Sequence, residues 1–130
     1  MSDDQESHLG ELALRTLAMP ADTNPAGDIF GGWLLAQMDI AGGLAAKQRS
    51  RGRIATIAVN SMTFHKPVFV GDVVCCYTHL ERVGRTSMTV RVQAWALRAP
   101  RAQERVKVTE GVFTYVAIND ERMPREVSPE

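Results

Sequence analysis

From Ile29 to Ala46 the chain carries two polar side chains, Gln37 and Asp39, in the run IFGGWLLAQMDIAGGLAA. Trp33, Leu34, Leu35, Met38, Ile40, Ala41, Leu44 and Ala45 cover more than one face of a helix. A helix that is apolar nearly all round is a buried helix. It also holds Gly31, Gly32, Gly42 and Gly43, each a loss of about 1 kcal/mol of helix propensity against alanine. Close approach of another element to the backbone is the expected compensation. The residues before it form a turn. Pro25 biases Asn24 away from the helical region, Gly27 permits a positive φ, and Asp28 is a favoured N-cap type. One carboxylate therefore stands at the mouth of the helix, and a second, Asp39, lies eleven residues further on.

A helix of this kind needs a sheet face to cover it, and 130 residues suffice for one domain with a real core. Formal net charge is zero, with 15 basic and 15 acidic side chains, which argues against a nucleic-acid binder. No apolar run reaches the roughly 18 residues of a membrane span, and the acidic N-terminus, MSDDQESHLG, has no apolar signal-peptide core. The expectation is a cytoplasmic protein with no membrane partner. Cys75 and Cys76 are adjacent and would point to opposite faces of a strand, so they read as reduced thiols in the core. His8, His65 and His79 have no metal-like spacing with them, and no metal site is expected.

Around the helix the remaining pattern is extended. Residues 1–8 are polar and expected to be disordered; 9–119 form the domain; 120–130, with Pro124, Pro129 and several charges, are expected to be a fraying, flexible tail. Leu9 to Met19 is a strand of mixed periodicity. The helix runs to about Arg49, with basic residues suited to its C-terminus and Gly52 as its stop. Ile54 to His65 alternates: Ala55, Ile57, Val59, Ser61, Thr63 and His65 on one side, Ile54, Thr56, Ala58, Asn60, Met62 and Phe64 on the other. Asp72 to Arg82 is the next strand, and Val83-Gly84-Arg85 a hairpin connection. Thr86 to Arg98 is the clearest strand, with Met88, Val90, Val92, Ala94 and Ala96 on one face. After a polar loop from Pro100 to Glu104, Arg105 to Ile118 is the last strand, with Gly111 read as a bulge. Short connections imply antiparallel neighbours. The fold class is α+β: one long central helix wrapped by a curved five-stranded antiparallel sheet. An edge strand is left open, so two sheets are expected to join edge to edge.

The run N-P-x-G-D-I-F-G-G-W-L-L-A-Q-M-D, with this layout, resembles the hot-dog fold acyl-CoA thioesterases, specifically the short bacterial YciA-like hydrolases. Phe64-His65-Lys66-Pro67-Val68, Val70-Gly71-Asp72-Val73-Val74, Val83-Gly84-Arg85-Thr86-Ser87 and Val112-Phe113-Thr114-Tyr115-Val116-Ala117 are similar to further parts of that family. The likeness spans about Leu12 to Asn119; His65 departs from it, where an apolar residue is expected. The resemblance implies hydrolysis of acyl-CoA to free CoA and a fatty acid, at a site on a dimer interface. It implies a homodimer assembled as a trimer of dimers, no metal or organic cofactor, and Asp28 as the matching catalytic aspartate.

That chemistry needs an activated water or a nucleophile and a home for the oxyanion. Asp28 is the candidate general base or nucleophile, with Asn24 placed to hold it or the water. Gly31 and Gly32, at a helix N-terminus with free N–H groups, are the candidate oxyanion hole. Asp39 is a second catalytic candidate, since an unpaired charge among apolar residues is costly and a helix carboxylate can serve a partner's site in the hot-dog arrangement. Gln37 is a further polar candidate. Two basic clusters are candidates for the anionic CoA nucleotide, one with Arg49, Arg51 and Arg53, the other with Arg82 and Arg85 beside Thr86 and Ser87. The rivals are a non-catalytic acyl-CoA binding or regulatory module and a hydratase or dehydratase on the same fold. The second usually needs a histidine–carboxylate pair, and no histidine lies between Asn24 and Ala46.

Overall fold

The computed structural model describes residues 7–98 and 104–129. Residues 1–6, 99–103 and 130 lie outside them, and with them all of the expected polar loop except Glu104. Strand β1 (Glu11–Leu17) leads through a single 3₁₀ turn (Pro20–Asp22) to helix α1 (Gly31–Ser50). Four long strands follow: β2 (Ile54–Phe64), β3 (Val73–Val83), β4 (Ser87–Arg98) and β5 (Glu104–Ala117). All pairings are antiparallel, and the sheet order is β1-β3-β4-β5-β2. The sheet is open, with β1 and β2 as its edges. It wraps α1 in the hot-dog arrangement.

The inner face is where the apolar pattern demanded it. Met88, Val90, Val92, Ala94 and Ala96 of β4 are all fully buried and share a core with Leu34, Met38, Ala41 and Ala46 of the helix. The helix glycine also meets its expected partner. A Cβ on Gly42 would lie 2.3 Å from the Tyr115 hydroxyl, so the bare backbone there lets a β5 tyrosine reach the helix. Gly31 and Gly32 are different: open space lies above Gly32, and only the Phe64 ring, at 3.8 Å, approaches Gly31.

Bulges account for the strands whose periodicity misleads. In β1 the pairing with β3 slips between Leu12 and Leu14, so Ala13 and Leu14 both pack against the core and the sequence reads as neither helix nor clean strand. In β2 two slips, between Thr56 and Ala58 and between Val59 and Ser61, reverse the expected alternation and then restore it. Thr56 pairs with Tyr115 and Val59 with Phe113, so these two share the inner face to which strict alternation assigns only one. Gly111 is not a bulge. It sits in register opposite Val92 and Met62, and it is small because Met62 and the Ser61 carbonyl lie 3.0 Å from where its Cβ would be.

Both helix ends differ from expectation. The N-cap position is Phe30, with no side-chain cap; Asp28 lies two residues upstream, in a bend. At the other end the left-handed residue is Arg51 (φ 60°, ψ 43°), not Gly52. Gly52 is there for space: a Cβ would meet the Arg125 guanidinium at 2.5 Å. Arg125 donates to the Ile118, Ser50 and Arg53 carbonyls, and the Val127 N–H donates to the Arg85 carbonyl. The stretch expected to fray is thus tied down as far as Val127, which is itself buried.

Candidate active site

The segment entering the helix is fixed by its own polar groups. Asp22 accepts the Met19 N–H with its carboxylate and the Phe30 N–H with its carbonyl, and Thr23 bridges to Ile29. Within this frame the Asn24 side-chain oxygen accepts the N–H groups of Ala26 (2.9 Å) and Asp28 (3.0 Å). The Asn24 N–H in turn donates to the Asp28 carbonyl at 2.7 Å. Asn24 therefore holds Asp28 through its backbone, and leaves the exposed Asp28 carboxylate to solvent. The first helical hydrogen bond is from Leu34 to the Phe30 carbonyl, so the N–H groups of Gly31 and Gly32 have no partner inside the helix.

A cleft of about 330 Å³ opens at this helix end, lined by Ile29, Phe30, Gly31, Leu34, Phe64, His65, Lys66, Pro67 and Val68. Its far wall is a loop that the sequence did not mark as part of a site. An ion pair shapes that loop. The Asp72 carboxylate, almost fully buried, accepts Arg98 Nη2 at 2.9 Å and the Phe69 N–H at 2.9 Å. Arg98 also donates to the Pro67 carbonyl and lies over the Phe69 ring. The cleft brings in His65 from the end of β2, so the lack of histidine between Asn24 and Ala46 does not keep the imidazole away from the site.

Asp39 stands two turns along the helix, about 12 Å from Gly31 at 1.5 Å per residue. It is half-buried and has partners: Thr56 Oγ1 donates to its Oδ1 at 2.9 Å, and the Tyr115 hydroxyl lies 3.1 Å from Oδ1 and 3.0 Å from the Asp39 carbonyl. Burial first, then the charge and hydrogen bond of Asp39, hold the Tyr115 phenol above its ordinary pKa, so it stays a donor. Reasoning from sequence missed Thr56 and Tyr115. The demand was visible, since a mid-helix aspartate among apolar residues needs donors, but their identity depends on the β2–β5 register. Gln37 serves the other flank, accepting the Thr16 hydroxyl from β1.

Asp39 also borders an apolar strip. Ile57, Val59 and Phe64 of the open β2 edge, with Ile40 and Leu44 of the helix, are each 45–58% exposed. The basic candidates lie elsewhere. Arg51 follows the helix C-terminus, Arg53 pairs with Asp120, and Arg85, beside Thr86 and Ser87, pairs with Glu126. A 20-residue helix is about 30 Å long, so one chain does not bring these arginines together with Asn24 and Asp28. Cys75 and Cys76 are both buried and free; burial, with Cys75 adjacent, pushes the Cys76 thiol up to about 12, which makes it a poor nucleophile. Among the described residues no cluster of His, Cys, Asp and Glu has the makings of a metal site, and no helix is long and apolar enough to cross a membrane.

Similarity to known proteins follows the same outline. The sequence model of the thioesterase superfamily matches residues 26–100. The acyl-CoA thioester hydrolase YciA of Escherichia coli K12 is 50% identical over 123 residues, 93% of each chain. A hexameric broad-specificity acyl-coenzyme A thioesterase superposes with a TM-score of 0.91 at 46% identity, over 98% of this chain and 88% of that one. The hexameric thioesterase of Yersinia pestis gives a TM-score of 0.89 at 52% identity, over 93% and 98%. A Staphylococcus aureus acyl-CoA hydrolase solved with butyryl coenzyme A and coenzyme A is more distant, with a TM-score of 0.80 at 27% identity over 88% and 69%. Alanine variants of that hydrolase at an asparagine and at a threonine, thirty-two residues apart, have also been solved.

Proposed function

This chain belongs to the thioesterase superfamily, among the YciA acyl-CoA thioester hydrolases, and on that premise we propose how its own residues hydrolyse acyl-CoA to CoA and a carboxylic acid. The carrying observation is the Asp39 carboxylate, held by Thr56 and Tyr115 beside the apolar β2 edge. A second copy covering that edge desolvates Asp39 while its hydroxyl donors stay in place. Desolvation and fixed orientation are what a general base needs. Asp28 is less suited to that part, because its carboxylate is exposed and its bonds to Asn24 are through the backbone. Its place in this reading is to close the loop that carries Asn24. Asn24 and Thr56 are thirty-two residues apart, the spacing of the asparagine and threonine altered in the S. aureus hydrolase.

In this arrangement each site is shared. One chain supplies Asn24, the Gly31 and Gly32 amides and the cleft; the other supplies Asp39. Water loses a proton to Asp39 as it attacks the thioester carbonyl carbon. The oxyanion that forms is met by the unpaired helix N–H groups. Its collapse breaks the C–S bond, and the CoA sulfur leaves as thiolate and takes up a proton. Attack by the carboxylate itself, through a mixed anhydride, would use the same geometry. Since one chain's arginines lie a helix length away, the CoA nucleotide is met by Arg51, Arg53 or Arg85 of another copy, with Thr86 and Ser87 beside it. The hexameric relatives support a trimer of dimers.

The test is release of free thiol from short, medium and long acyl-CoAs by wild type, Asp39→Asn and Asp28→Asn. Asp39→Asn is expected to lose about 10²- to 10⁴-fold in kcat, and Asp28→Asn much less. The reverse order would return the base to Asp28. Tight CoA binding without turnover on any chain would instead favour a binding module.

A further inference from the structure

We propose that Tyr115 is a positioning residue, whose hydroxyl fixes the Asp39 carboxylate for its work in the shared site; this rests on Asp39 being the working carboxylate. Three observations converge. The Tyr115 side chain is fully buried on the inner face of β5, yet its hydroxyl ends within 3.1 Å of Asp39 Oδ1 and 3.0 Å of the Asp39 carbonyl. The helix gives way to it at Gly42, where any side chain would occupy the hydroxyl's place. And Thr56, paired with Tyr115 across the β2–β5 ladder, donates to the same carboxylate oxygen. Two donors on Oδ1 leave Oδ2 as the oxygen directed to chemistry. Thr56 reaches the inner face in plain register with Tyr115, before the first slip in β2.

The surroundings make the hydroxyl's influence readable. One helical turn either side of Asp39 stand Leu35, Ala36, Gly42 and Gly43. Beside the donors stand Ala55 and Ile57 on β2 and Thr114 and Val116 on β5. None of these carries a charge; Tyr115 is the titratable group whose hydroxyl reaches Asp39.

The experiment measures kcat and KM for butyryl-CoA at one fixed pH in wild type, Tyr115→Phe and Asp39→Asn, with thermal midpoints recorded alongside. Tyr115→Phe is expected to lower kcat about tenfold through lost orientation and to leave KM within about twofold. As a second variant, 3-fluorotyrosine at position 115 keeps both the core filled and the donor in place, and should keep kcat near that of wild type. An unchanged kcat in Tyr115→Phe, with Asp39→Asn inactive, overturns the inference: the hydroxyl would then serve only the helix carbonyl. Full turnover by Asp39→Asn overturns the reading beneath it instead.

Discussion

Gly42→Ala and Gly43→Ala, adjacent on one helix, should have opposite signs. Alanine at either position gains about 1 kcal/mol of helix propensity. At Gly43 the new methyl meets Ile54 Cδ1 at 3.5 Å and Tyr115 Cε2 at 3.7 Å, ordinary contacts, so most of that gain should survive. At Gly42 it would meet the Tyr115 hydroxyl at 2.3 Å and Cζ at 3.0 Å. The ring belongs to a fully buried residue and cannot swing to solvent. Overpacking of this kind costs about 1–3 kcal/mol, and pulling the hydroxyl from Asp39 leaves a buried donor unmade, about 1–3 kcal/mol more. The net for Gly42→Ala is a loss of about 1–5 kcal/mol, with about 3 as the central figure. Urea unfolding at fixed protomer concentration reads both variants, the concentration held because assembly contributes to stability. Tyr115→Phe in the Gly42→Ala background should recover the hydroxyl's share of the loss. A Gly42→Ala protein as stable as Gly43→Ala would refute the reasoning, since the phenol would then not lie against the helix.

Arg98→Met leaves the Asp72 carboxylate nearly buried without its cation; a loss of about 2–4 kcal/mol is expected by thermal unfolding, with a rise in KM as the 65–72 cleft wall loosens. Glu110 resists ionisation through burial, but hydrogen bonds from Lys107 and Arg91 outweigh this and hold its carboxyl below the ordinary value of 4.5. Its contribution is therefore present above that value and lost as pH falls through the lower folded value, so the stability gap between wild type and Glu110→Gln should narrow below about pH 4.5 in acid titrations of unfolding. Cys76, with its thiol pushed up from 9.0 to about 12, should resist iodoacetamide at pH 8 and react only in denaturant. It should also make stability fall as pH rises above 9, because the unfolded chain then releases a proton the folded one keeps. Val59→Asp, on the exposed β2 edge, should shift the protein toward monomer in size-exclusion chromatography and remove turnover with it.

How much of this was legible depends on the range of the interaction. The buried helix, the need for something to approach its glycines and the inner face of β4 follow from local pattern, because burial on one side writes a period of two or 3.6 directly into the residues. Bulges erase that signal. In β2 two of them move Val59 to the inner face, and nothing in Ile54 to Phe64 announces an extra residue. Asp39 advertised a need for partners without naming them, since Thr56 and Tyr115 lie 17 and 76 positions away. The N-cap reading of Asp28 failed for a related reason. Asn24 claims the loop's N–H groups first, and the helix starts three residues beyond Asp28. The tail was read from its prolines and charges, yet one of those charges, Arg125, is what anchors it.

The distance between the helix mouth and Asp39 carries a genetic consequence. If each site takes Asn24 from one chain and Asp39 from its two-fold mate, alleles defective in either residue lie in separate complementation groups within a single gene. Co-expressed Asn24→Ala and Asp39→Asn chains would form heterodimers with one site doubly damaged and the other whole. Random pairing makes half the dimers mixed, which restores roughly a quarter of wild-type activity from two inactive parents. A site confined to one chain would restore none.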